Sequence, residues 1–129
     1  GTGQLLGTAA YMAPEQAAGR NAEVGPWSDV YALGVILFEM LAGRPPFVGA
    51  VFEVLWKVVE EPPPAPSAVR PGVPAWLDAV CGRALAKAPA DRYPSAKAFA
   101  DALRGGPAGG PAGAGGGTAG EWIDPVDVT

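Results

Sequence analysis

One segment constrains this chain more than any other. From Trp27 to Leu41 the residues Val30, Leu33, Val35, Ile36, Leu37, Phe38, Met40 and Leu41 face every direction when wound into a helix. A helix that is apolar all round belongs at a core rather than on a surface. Ser28 and Asp29 are its candidate N-caps, Gly43 ends it, and Pro45-Pro46 prevents resumption. It falls short of the ~18–20 apolar residues that span a bilayer. Three further helices are read behind it. Val51, Val54, Leu55, Val58 and Val59 form one apolar stripe over about Ala50 to Glu60, which Pro62-Pro63-Pro64 terminates. Leu77, Val80, Cys81, Ala84 and Leu85 form another over about Ala75 to Ala86, and Ser95 caps a fourth helix carrying Phe99 and Leu103. No strand and no internal repeat is read, so the expected fold class is mainly α. Three amphipathic partners do not cover a rod that is greasy on all sides, and an exposed apolar patch is expected.

Composition divides the chain at Arg104. Residues 105–120 are nine Gly, four Ala, two Pro and one Thr, a flexible linker with nothing to bury. Residues 121–129 (EWIDPVDVT) form a short acidic tail, in which Trp122 and Ile123 have no assigned role. Residues 1–104 hold ten acids and nine bases, whereas residues 105–129 hold three acids and no base, so most of the net charge of −4 sits outside the foldable part. That balance argues against a nucleic-acid partner, which would call for a basic stripe. The chain has no histidine, which removes His-based metal sites, Ser-His-Asp triads and imidazole acid–base chemistry. Its single cysteine, Cys81, excludes an internal disulfide, fits a reducing compartment, and lies on an apolar stripe where a thiol is inert. No signal peptide or membrane segment is read, and the expected location is cytoplasmic, with anchoring of a longer parent left open.

The motifs are more specific. Gly7 to Gln16 reads GTAAYMAPEQ: a loop followed by a short helix, with Pro14 suited to the first helical turn and Glu15 to the N-terminal dipole. Ser28-Asp29-Val30-Tyr31-Ala32-Leu33-Gly34 follows, then Gly43-Arg44-Pro45-Pro46-Phe47, then Leu85 to Tyr93 (LAKAPADRY) and Pro94-Ser95-Ala96. This ordered set resembles the C-terminal lobe of a bacterial Ser/Thr protein kinase of the eukaryotic-like type, over about Gly1 to Leu103; A-P-E is one of the kinase signature elements. The fold it implies is an incomplete, helical kinase lobe (1–104), followed by the linker and a disordered tail.

The resemblance also implies roles. Thr8 matches the threonine of the substrate-docking loop, whose hydroxyl supports the catalytic aspartate; as a bare residue it is a turn hydroxyl. Glu15 matches the A-P-E glutamate and Arg92 the arginine that pairs with it; otherwise they are two separate surface charges. Asp29 matches the aspartate that holds the catalytic-loop backbone, a role compatible with capping its helix. Thr2 sits where related kinases carry an activation-loop phosphothreonine, and is otherwise an exposed loop residue.

Phosphoryl transfer also needs a Gly-rich loop, a phosphate-binding lysine, a catalytic Asp with its Asn, and a magnesium-binding Asp. Without His there is no H-R-D, and no Asp here precedes Phe-Gly. In the family these elements come before A-P-E, so the resemblance places them upstream of Gly1. The expectation is a kinase fragment carrying no catalytic, cofactor or metal residue of its own, inactive alone. ATP and Mg2+ would serve the intact domain, and a protein Ser or Thr would be its substrate. The alternative is a non-catalytic kinase-like interaction module. Two patterns mislead. Gly115, Gly117 and Gly120 satisfy G-x-G-x-x-G inside the linker without a strand before or a helix after, and Lys57 in VLWK lies on the solvated face of a helix. Trp27, Trp76 and Phe99 read as packing residues, and the triple proline as a loop end.

Overall fold

Pro26, rather than Ser28 or Asp29, sets the start of the central helix. Its fixed φ suits the first helical position, and the extended Gly25 before it is the N-cap. Ser28 therefore falls at the third helical position, where its Oγ accepts a 3.2 Å hydrogen bond from the Gly25 N–H. The N-cap reading of Ser28 and Asp29 is corrected by this one-turn earlier start. At the other end Gly43 adopts φ 86°, and its N–H closes the helix on the Glu39 carbonyl.

The computed structural model describes residues 9–109. Thr2, Thr8 and residues 110–129 lie outside them. Residues 9–11 are helical, followed by α1 (Pro14–Ala17), α2 (Pro26–Ala42), α3 (Val51–Glu60), α4 (Pro66–Val69), α5 (Ala75–Ala84) and α6 (Ala96–Gly105). Short 3-10 turns occupy Asn21–Glu23, Pro89–Asp91 and Gly106–Gly109. No strand occurs among the described residues. The described residues thus build an all-helical lobe, the mainly α class expected from the sequence.

Helix α2 is the hub: α4, α5, α6 and the 89–91 turn all pack on it, while α1 packs on α3. Its Val30, Tyr31, Val35, Leu37 and Phe38 join Val54, Val58, Val80, Cys81, Ala84, Leu85, Tyr93 and Phe99 in one core. Burial is one-sided, however. Leu33, Ile36 and Met40, spaced three and four apart along the opposite stripe, remain exposed, Met40 at 70%. This stripe is the exposed apolar patch expected of a rod that three amphipathic partners do not cover.

Two helix ends are completed by side chains distant in sequence. Asp78 of α5 accepts hydrogen bonds from the Ser67 N–H, at 3.0 Å, and from the Ser67 hydroxyl, satisfying donors at the start of α4. Helix α4 was legible only as a Pro-rich connection, because its stabilising carboxylate lies eleven residues away. At the end of α3, the Lys87 ammonium donates to the Val58 carbonyl at 2.6 Å and to the Lys57 carbonyl at 3.3 Å, and lies 4.8 Å from the centre of the Phe47 ring. A cation there complements the helix dipole, while burial lowers the Lys87 pKa to about 8. Ser95 caps α6 as expected, accepting from the Ala98 N–H at 3.1 Å.

The plain packing readings also hold. Cys81 is buried with its thiol pKa pushed up by burial to about 12, Phe99 is in the core, and Trp76 packs against it. Lys57 is a helix-surface residue, paired with Glu53 at 3.0 Å.

Candidate functional site

The strongest polar feature of the lobe joins residues 77 positions apart. Glu15 lies in the first turn of α1, where Pro14 opens the helix and the Gln16 side chain accepts from the Ala13 N–H at 2.8 Å. Arg92 follows the Pro89–Asp91 turn in extended backbone. The two guanidinium ends meet the two carboxylate oxygens side by side: Nη1 to Oε2 at 2.8 Å and Nη2 to Oε1 at 2.8 Å. Both side chains are out of solvent, at 0% for Arg92 and 1% for Glu15.

A buried ion pair stabilises a fold only when its remaining hydrogen-bonding capacity is met. Here it is. Arg92 Nε donates to the Ala86 carbonyl at 2.7 Å, Nη1 also to the Trp27 carbonyl at 3.1 Å, and Nη2 also to the Lys87 carbonyl at 3.1 Å. With the two bonds to Glu15, all five guanidinium N–H groups have acceptors. Glu15 Oε2 accepts in addition from the Ser28 hydroxyl at 2.5 Å, and Ser28 is itself fixed by the Gly25 N–H. The Tyr31 ring lies beneath the guanidinium, 5.2 Å from centroid to Cζ. Burial alone would raise the Glu15 pKa; the hydrogen bonds from Arg92 and Ser28 outweigh it and hold the carboxyl below its usual value. One knot thus ties α1, the start of α2 and the loop between α5 and α6.

Asp29 is adjacent to Ser28 in sequence but outside this knot. Its side chain is exposed and makes no hydrogen bond or ion pair among the described residues. It borders a depression of about 250 Å³ lined also by Tyr11, Met12, Gln16, Ser28 and Ala32. Tyr11 closes one side, its hydroxyl donating to Glu39 Oε1 at 2.6 Å. The structure therefore unites Glu15 and Arg92 and leaves Asp29 facing outward. Thr2 and Thr8 fall outside the described residues. No group of three or more His, Cys, Asp or Glu among the described residues is placed to hold a metal ion.

Sequence reasoning missed three contributors: Ser28 as donor to Glu15, Tyr31 as the floor under Arg92, and Lys87 as the cap of α3. Ser28 alone left a signal, a hydroxyl near the helix start read as a candidate cap.

The chain is similar to known proteins over most of its length. The protein kinase domain profile matches residues 2–101. The chain is 43% identical over 101 residues to serine/threonine-protein kinase PksC of Streptomyces coelicolor, an overlap covering 78% of this chain and 18% of that protein. It is 48% identical over 104 residues to serine/threonine-protein kinase Pkn1 of Myxococcus xanthus, covering 79% and 15%. With serine/threonine-protein kinase PknB of Mycobacterium tuberculosis the values are 47% over 96 residues, 74% and 15%. The chain thus spans less than a fifth of these relatives.

Proposed function

The chain belongs to the protein kinase domain family, and from that premise we propose that it is the lower scaffold of a Ser/Thr protein kinase. In this reading the segment ending at α1 is the substrate-docking loop, with Thr8 supporting the catalytic aspartate and Thr2 an activating phosphorylation site. Asp29 receives the backbone N–H groups of the catalytic loop. The Glu15–Arg92 knot holds the docking segment against the start of α2, so that Asp29 and the docking loop keep a fixed relation. Such fixed positioning is the main contribution a protein makes to phosphoryl transfer. ATP, magnesium and the residues that hold them belong to the remainder of the kinase domain, and the acceptor is a Ser or Thr hydroxyl of a protein. The chain alone does not catalyse. We assign the assembly to the cytoplasm; among the described residues no helix is long and apolar enough to cross a membrane.

The observation that carries this reading is the contrast between Glu15, which binds Ser28 at the start of α2, and the next residue of that helix, Asp29. Glu15 is buried with every partner present, whereas Asp29 is exposed beside it with none among the described residues. An exposed acid at the rim of a depression, next to a rigid knot, suits an anchor for a further loop.

A chimera tests it. The N-terminal part of a related kinase, through its magnesium-binding aspartate, is joined ahead of this chain and incubated with radiolabelled ATP and a protein acceptor. The chimera should label the acceptor, Asp29→Ala should lower labelling by at least about tenfold, and the unfused chain should label nothing. Labelling by the unfused chain, or full activity in the Asp29→Ala chimera, overturns the proposal. A chimera that folds yet stays inactive supports the interaction-module alternative.

A further inference from the structure

Arg92 of the ion-pair knot also borders a larger cavity, which shares no lining residue with the depression at Asp29 and which the kinase reading does not use. It has a volume of about 560 Å³ and is lined by Trp27, Arg83, Pro89, Ala90, Arg92 and Pro94. That volume lies in the range of sites that take a small ligand or an anchoring side chain, roughly 300–1,000 Å³. The Trp27 indole forms a fixed wall, since its Nε1–H donates to the Glu23 carbonyl at 2.6 Å. Pro89, Ala90 and Pro94 add rigid apolar surface. Two cations border the cavity, and they differ. Every N–H of Arg92 is engaged, as described above. Arg83 lies flat on the Tyr93 ring, its Cζ 4.3 Å from the centroid, and makes no hydrogen bond or ion pair among the described residues. The site therefore offers an apolar slot with one available guanidinium at its edge.

The same chain contains a segment of complementary chemistry. Residues 121–129 carry Trp122 and Ile123 amid Glu121, Asp124 and Asp127, with no basic residue. Aromatic anchors flanked by acids match an apolar slot rimmed by arginine. The tether also fits. Pro94 borders the cavity immediately before α6, and the ten residues of α6 carry the chain away by about 15 Å. The 106–109 turn at that end packs on α5, the helix that bears Arg83. Eleven residues such as 110–120 would, as a coil, span roughly 17–20 Å, enough to cover the length of α6. A linker matched to its span gives an effective concentration on the order of millimolar, so even a weak contact is populated.

We propose that this cavity is the docking site of the chain's own acidic segment 121–129. Trp122 enters between Trp27 and the 89–94 loop, and the carboxylates of Glu121 and Asp124 face Arg83. The contact would bring the segment against the Arg92 side of the Glu15–Arg92 knot.

The test uses the full chain with Trp122→p-benzoylphenylalanine, irradiated at low concentration as a mixture of isotopically light and heavy chains. Cross-linked peptides are mapped by mass spectrometry. The expected result is cross-links concentrated on the peptides containing Trp27 and residues 89–94, within single chains. Arg83→Glu should lower their yield by roughly fivefold, about what one exposed charge pair is worth. The double variant Glu121→Gln, Asp124→Asn should do the same, and it cannot disturb the helical core. Cross-links scattered without preference, or gathered on Leu33, Ile36 and Met40, overturn the proposal. So do predominantly light-to-heavy cross-links, which mean capture by a second copy, and yields that neither charge variant changes.

Discussion

At the scale of the residue, the lobe depends on Arg92. Removing one partner of a buried, fully bonded ion pair strands the other charge, so Arg92→Ala or Glu15→Ala should each cost about 3–5 kcal/mol in urea unfolding. Arg92→Lys should recover little of it, because an ammonium cannot reproduce five N–H groups in a planar fork. The pair also sets a pH dependence. The folded-state pKa of Glu15 is depressed below its usual 4.5 by Arg92 and Ser28 against the opposing effect of burial. Its contribution to stability is therefore complete above that value and drains away as pH falls through the folded pKa. Glu53 and Asp101 are lowered by their own basic partners and add in the same direction, but both are exposed. Unfolding midpoints measured from pH 6 down to about 3 should fall less steeply in Glu15→Gln than in the parent chain. The pairing of Glu15 with Arg92 was legible only through resemblance. The acceptors of the other N–H groups were not, since they are backbone carbonyls of Trp27, Ala86 and Lys87, and side-chain identity says nothing about them.

At the scale of the element, the crossing of α2 and α5 turns on one glycine. A Cβ at Gly34 would lie 2.8 Å from the Ala84 Cβ, which is fixed to its backbone, and 3.1 Å from Cδ2 of the buried Leu85. Cys81 Sγ also donates to the Gly34 carbonyl at 3.6 Å, a second sign of close approach. Gly34→Ala gains about 0.8–1.0 kcal/mol of helix propensity but incurs overpacking of about 1–3 kcal/mol, so a net loss of stability is expected. Gly82, in the adjacent helix, has nothing within 4 Å of a built Cβ. Gly82→Ala should therefore stabilise the chain by about 0.5–1 kcal/mol. Paired thermal melts that fail to show opposite signs would remove the close-packing account. The four long helices were readable from apolar period and capping residues. The start of α2 was misread because Pro26 outranks a hydroxyl as a helix opener, and α4 was missed because Asp78 supports it from another helix.

At the scale of the whole molecule, the chain has an inner and an outer apolar surface. Leu33, Ile36 and Met40 on α2, and Phe52 and Trp56 on α3 at 81% and 60% exposure, remain in solvent while the opposite faces of both helices build the core. Exposed apolar area of this kind favours association. The purified chain should bind a hydrophobic fluorescent dye, and Ile36→Glu with Met40→Glu should reduce that fluorescence without lowering the unfolding midpoint. Undiminished dye binding in the double variant would place the sticky surface elsewhere. Periodicity, capping and turn residues are local, so the sequence alone determined that the chain is helical, where its long helices lie and that the rod around Val35 is too apolar for a free surface. It could not determine which side of that rod is covered. That choice, with the burial of Glu15 against Arg92 and the exposure of Asp29 beside it, belongs to tertiary structure. Those outcomes depend on which distant side chains and carbonyls arrive to compete with water, and a one-dimensional pattern holds no record of that competition.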